Sequence, residues 1–63
     1  MSEITSRGWT DGYFNYKVLD GGEWWNITKH LPMTLWTHSG SFNKDWSKKQ
    51  VEEWFEEEER SGR

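Results

Sequence analysis

The sequence predicts an α+β domain: a three-stranded antiparallel sheet followed by one C-terminal helix packed on one of its faces, in the order β-β-β-α. Three observations predict it. The stretch Trp46 to Arg60, WSKKQVEEWFEEEER, has no Gly or Pro and opens on a helix start signal. Tyr13 to Leu19 and Glu23 to Lys29 alternate aromatic or branched residues with polar ones on either side of Asp20-Gly21-Gly22. Met33 to His38 alternates again after Pro32.

Met1 to Asp11 is polar and carries both charge signs, so it reads as a mobile arm. Trp9 is its exception and is expected to fold back as a lid on the sheet. In the first strand Phe14, Tyr16 and Val18 point one way, and Tyr13, Asn15 and Lys17 the other. Asp20-Gly21-Gly22 supplies a turn, because Gly adopts φ > 0 without steric cost. In the second strand Trp25 and Ile27 alternate with Trp24, Asn26 and Thr28, and the two strands read as a hairpin. Pro32 ends that strand, since it has no N–H for the ladder and restricts the residue before it. In Met33 to His38, Met33, Leu35 and Thr37 face one way and Thr34, Trp36 and His38 the other. A helical turn after Pro32 is the competing reading. Ser39-Gly40-Ser41 reads as a loop that leads towards the helix.

The helix has the clearest signature. Ser47 is a favoured N-cap, and Gln50 three residues on completes a capping box. Trp46 and Val51 stand at the two positions of a hydrophobic staple. Val51, Trp54 and Phe55 share one face at i, i+3 and i+4, and Glu58 is the next position of that stripe. Lys48 and Lys49 sit at the positive end of the helix dipole, and Glu56 to Glu59 at the negative end. Each such charge costs roughly 0.3–1 kcal/mol when exposed at low salt. The expectation is a helix whose first half covers the sheet and whose second half, Glu56 to Arg60, stands in water. Gly62 supplies the stop, and 61–63 a frayed tail.

Sixty-three residues make a single domain, 1–63, too short to bury much surface, and the absence of Cys removes disulfide staples and thiolate metal sites. Stability must come from dense aromatic packing, an oligomer or a partner, and the six Trp rings each bury roughly 150–250 Å². Net charge is −3, with six acids against four bases from Trp46 onwards. Neither part has the basic field that dominates nucleic-acid binding. No apolar run approaches the ~20 residues that span a bilayer, and no leader-like segment is seen, so cytoplasmic residence is expected.

His30 and His38 are the only two His and have no ligand spacing, so neither a metal nor any other cofactor is expected. Asn26-Ile27-Thr28 matches the glycosylation sequon by chance on this reading. No nucleophile-base pattern is present, and an enzyme is not expected. The rings Tyr13, Trp24 and Trp36 would project from the sheet face that the helix leaves open. Exposed aromatic groupings mark binding sites.

Trp46 to Phe55 resembles the first helix of sterile alpha motif domains, and the Trp24-Trp25 pair after an acidic-glycine turn is similar to the tryptophan pair of SH3 domains. Neither resemblance transfers a functional residue. The expectation is therefore a small protein-binding module, an inhibitor or accessory factor of the kind compact phage or plasmid genomes encode. Tyr13, Trp24 and Trp36 would give apolar affinity. Glu52, Glu53, Glu56, Glu57, Glu58 and Glu59 would steer it to a protein with a basic surface. The alternatives are a single-stranded nucleic-acid binder that stacks bases on the same rings, with Lys17, Lys29 and Lys44 on phosphates, and a structural homodimer.

Overall fold

The helix begins where its sequence places it. In the computed structural model, which describes residues 4–61, the Gln50 side chain accepts from the Ser47 amide at 2.8 Å, and the Gln50 amide donates to Ser47 Oγ at 3.2 Å. This reciprocal box opens α1, Lys48–Ser61. The Trp46 ring packs on Phe42 at 5.5 Å and fixes the approach to the helix. The stop assigned to Gly62 lies outside the described residues.

The sheet has four strands, not three: β1 Trp9–Thr10, β2 Asn15–Asp20, β3 Trp24–His30 and β4 Thr37–Asn43. All neighbours are antiparallel and the order is β1-β2-β3-β4, a meander. The β2–β3 hairpin matches the sequence reading. Asp20 pairs with Trp25, the Gly22 amide donates to Asp20 Oδ1 at 2.9 Å, and Gly22 takes a φ of 94°.

Two expectations are corrected. From Ile4 onwards the N-terminal arm is part of the fold: Ile4 is buried, and β1 pairs with β2 through Trp9 and Tyr16. Trp9 is half-buried in that strand and stacks on Tyr16 at 4.6 Å with rings 9° from parallel, while its Nε1 donates to Glu52 Oε2 at 2.8 Å. Two hydrogen-bonding residues suffice for a strand when a ring pair and a helix carboxylate hold them. The last strand is also displaced, from Met33–His38 to Thr37–Asn43. The Ser39-Gly40-Ser41 run is its centre rather than a loop. Gly40 faces Ile27 across the ladder, and a Cβ there would stand 3.0 Å from Phe42 and 3.1 Å from Trp54. A side chain at this position would press on both rings where the helix approaches the strand.

The helix covers one sheet face. Ile4, Tyr16, Val18, Ile27, Phe42, Val51 and Phe55 form the core, with Phe14, Trp25, Trp46 and Trp54 packed round it. Phe55 is the hub, with ring centroids at 5.0 Å from His38, 5.3 Å from Trp54, 5.4 Å from Phe42 and 6.1 Å from Tyr16. Burying a side chain such as Phe55 or Ile27 contributes roughly 1.5–3 kcal/mol. Among the described residues no helix is long and apolar enough to cross a membrane.

Candidate functional site: an apolar tip beside an acidic helix end

The sheet face away from the helix is polar at its centre, with Leu19 and Trp24 towards one end. Thr28 and Ser39 share a hydrogen bond at 3.1 Å, and Ser41 Oγ donates to Asn26 Oδ1 at 2.9 Å. These cross-strand pairs occupy the centre of the face expected to carry aromatic rings. Of the three rings expected there only Trp24 lies on it, on the same side of β3 as Asn26 and Thr28; Tyr13 and Trp36 do not. Trp24 opens β3 opposite Asn43, at the end of the sheet near Trp46. Tyr13 and Trp36 lie at the opposite end, in the β1–β2 and β3–β4 connections.

Those two connections form the most exposed apolar surface of the molecule. In residues 31–36 the Leu31 amide donates to the Trp36 carbonyl, and Thr34 returns its amide at 3.2 Å and its hydroxyl at 2.7 Å to the Leu31 carbonyl. Thr34 Oγ1 accepts from the Trp36 amide at 3.1 Å, and the Thr34 carbonyl lies 3.0 Å from His30 Nε2. The turn is thus tied down by its own polar groups, while the side chains of Met33 and Leu35 have no packing task. Met33 sits at φ 66°, a left-handed conformation that L residues seldom adopt. Met33 is 101% and Leu35 99% exposed.

The neighbouring turn is built the same way. Asp11 Oδ1 accepts from the amides of Tyr13 at 2.9 Å and Phe14 at 2.8 Å, and Asp11 Oδ2 accepts from Tyr16 Oη at 3.1 Å. Burial raises the Asp11 pKa, but these donors outweigh it and hold the carboxyl below its usual range. Phe14 is drawn inwards against Trp36 at 5.7 Å, which leaves Tyr13 79% exposed. Among the described residues, Tyr13, Met33, Leu35 and Trp36 account for four of the six exposed large apolar side chains, and all four lie at this end.

The last turns of α1 arrive at the same end. Lys29 and His38 face each other one pair before the ladder stops, and both reach Glu59. Lys29 Nζ lies 3.1 Å from each Glu59 oxygen, and His38 Nδ1 lies 3.1 Å from Oε2. Lys29 is only 5% exposed and also stands over the Phe14 ring at 4.2 Å. Burial raises the Glu59 pKa, but His38 and Lys29 outweigh it and the carboxyl is lowered. This corrects the expectation that Glu56 to Arg60 stands in water, because Glu59 is held against the sheet. The stripe runs Val51, Phe55, Glu59 rather than through Glu58, because steps of four carry it onto Lys29. Trp54 is half-buried beside that stripe.

The predicted acids separate by task. Glu52 holds Trp9, and Glu59 holds Lys29. Glu53, Glu56, Glu57 and Glu58 are exposed, and Glu57 pairs with Arg60 at 3.4 Å. Of the cations considered for phosphate, Lys29 is buried and Lys44 is bound to Asp20 at 2.8 Å. Met33 and Leu35 were missed because alternation after Pro32 reads as a strand. The signal against it is Thr34, whose hydroxyl competes for the backbone two and three residues away.

Among the described residues no group of three or more His, Asp or Glu is placed to hold a metal ion. The chain matches no protein-family model, no curated protein and no solved structure.

Proposed function

We propose that this chain is a protein-binding module that docks its apolar tip, Tyr13, Met33, Leu35 and Trp36, on a partner whose basic surface meets the carboxylates Glu56, Glu57 and Glu58. The observation that carries the reading is the fully exposed Met33-Leu35 pair. It is displayed by a hydrogen-bonded turn at the end of the molecule where the acidic helix finishes. Exposed apolar side chains that do nothing for the fold, beside a one-signed charge patch, combine short-range affinity with long-range steering. Such a domain would act as an inhibitor or accessory factor in the cytoplasm by covering the partner's basic surface.

Base stacking on a sheet loses its support, because the centre of the open face is a polar ladder and of the three rings only Trp24 lies on that face. The test is affinity capture from lysate at low and high salt, with sedimentation of the isolated protein. A protein captured at low salt and weakened at high salt supports the reading. A concentration-dependent dimer with no captured protein replaces it with a homodimer closed over the tip.

A further inference from the structure

We propose a second site: the free edge of β4 takes an extended, lysine- or arginine-bearing segment of another protein as a fifth strand, with a basic side chain seated against Trp54 and Trp46 between Glu53 and Glu57. β4 is an outer strand of the sheet, seven residues long. Its sequence THSGSFN has none of the Lys, Pro or acidic residues with which natural edges resist pairing. The ladder phase shows which groups face outwards. Leu31 donates to Trp36, so the pairs 29–38, 27–40 and 25–42 exchange hydrogen bonds in the alternating antiparallel pattern. Thr37, Ser39, Ser41 and Asn43 then direct their N–H and C=O groups away from β3. The Asn43 carbonyl confirms the direction, since it accepts from the Trp46 amide at 3.2 Å. Among the described residues no hydrogen bond takes up the backbone groups of Thr37, Ser39 or Ser41. An added strand supplies main-chain affinity there, and the flanking side chains supply selection.

The flank specifies the occupant. Trp46 and Trp54 line two adjoining concavities of about 230 and 280 Å³. The first borders Ser41, Phe42 and Asn43 of the edge, and the second is rimmed by Glu53 and Glu57. Indole faces with carboxylates beside them suit an ammonium or guanidinium group. The cation at the end of the strand, Lys44, is bound to Asp20. A second copy of this chain fits less well, because two β4 edges paired antiparallel would place both Glu53–Glu57 pairs on one side of the seam.

The probe is a capped ten-residue peptide alternating Lys with Thr, followed by tryptophan fluorescence and by amide chemical shifts of the labelled protein. Saturable binding that moves the Ser39 and Ser41 amides supports the site. So does at least a tenfold loss of affinity when alternate peptide amides on one edge are N-methylated. The Glu-for-Lys peptide should not bind, and Glu53→Gln with Glu57→Gln should weaken the Lys peptide about three- to tenfold. Equal binding of the N-methylated peptide overturns the proposal. So do shifts confined to Glu56 and Glu58, or self-association that broadens the β4 amides without peptide.

Discussion

Lys29 Nζ lies 3.1 Å from both carboxylate oxygens of Glu59, thirty residues further along the chain. The pair joins an inner strand, β3, to the last turns of the helix, at the one place among the described residues where a cation is buried in the aromatic core. Taking Lys29 out of water is costly unless a counter-charge accompanies it. Glu59→Gln should therefore destabilise by about 1–3 kcal/mol, whereas Glu56→Gln and Glu58→Gln should stay within about 0.5 kcal/mol. Urea denaturation of the three variants separates them. Equal effects would mean that the pair adds nothing.

The same carboxylate sets an acid limit. The Glu59 pKa is lowered in the folded protein from its ordinary 4.5, so the unfolded chain binds the proton more readily. Its contribution is then complete above that value and is lost as pH falls through the lowered one. Asp11, held low by the Tyr13 and Phe14 amides against the effect of burial, acts in the same direction. Stability should fall between about pH 5 and pH 2, and the gap between the natural protein and Glu59→Gln should narrow over that range. Urea midpoints across the range check it. A constant gap would contradict the assignment.

Gly40 tests the helix–sheet approach. A methyl group there meets Phe42 and Trp54 rings that are both packed in the core, so Gly40→Ala should cost about 1–3 kcal/mol. Ser39→Ala, one residue away on the polar face, should cost under about 1 kcal/mol for its exposed bond to Thr28. Thermal melts of the two proteins give the comparison.

The capping box is a local feature with a local consequence. Ser47→Ala removes the acceptor of the Gln50 amide and should cost about 1 kcal/mol, with helix signal lost in circular dichroism before the sheet signal.

How much of this was legible follows from the range of the interactions. The box at Ser47 and Gln50 and the turn at Asp20 to Gly22 lie within a few residues, so the chain spells them out. Gly40 did not, because a Gly between two Ser has the composition of a loop, and only the Trp54 ring across the core makes it a strand position. Lys29 and Glu59 did not, because each looks like an ordinary surface charge until the fold brings them together. Tyr13 and Trp36 have the expected property, an exposed ring, but the alternation that places them on a face is broken by the Asp11–Phe14 turn for Tyr13 and by the Pro32–Thr34 turn for Trp36. Trp24 keeps the face that its alternation with Trp25 assigns, but at the other end of the sheet, opposite Asn43.

The most direct test of the tip compares the natural protein with Met33→Ser plus Leu35→Ser. Both side chains are at full exposure, so the double variant should unfold within about 0.5 kcal/mol of the natural protein. Capture of the partner at low salt by the two proteins is then the measurement. Loss of at least tenfold in captured partner at unchanged stability is the predicted result. Undiminished capture by the double variant would contradict the assignment of the tip as the binding surface.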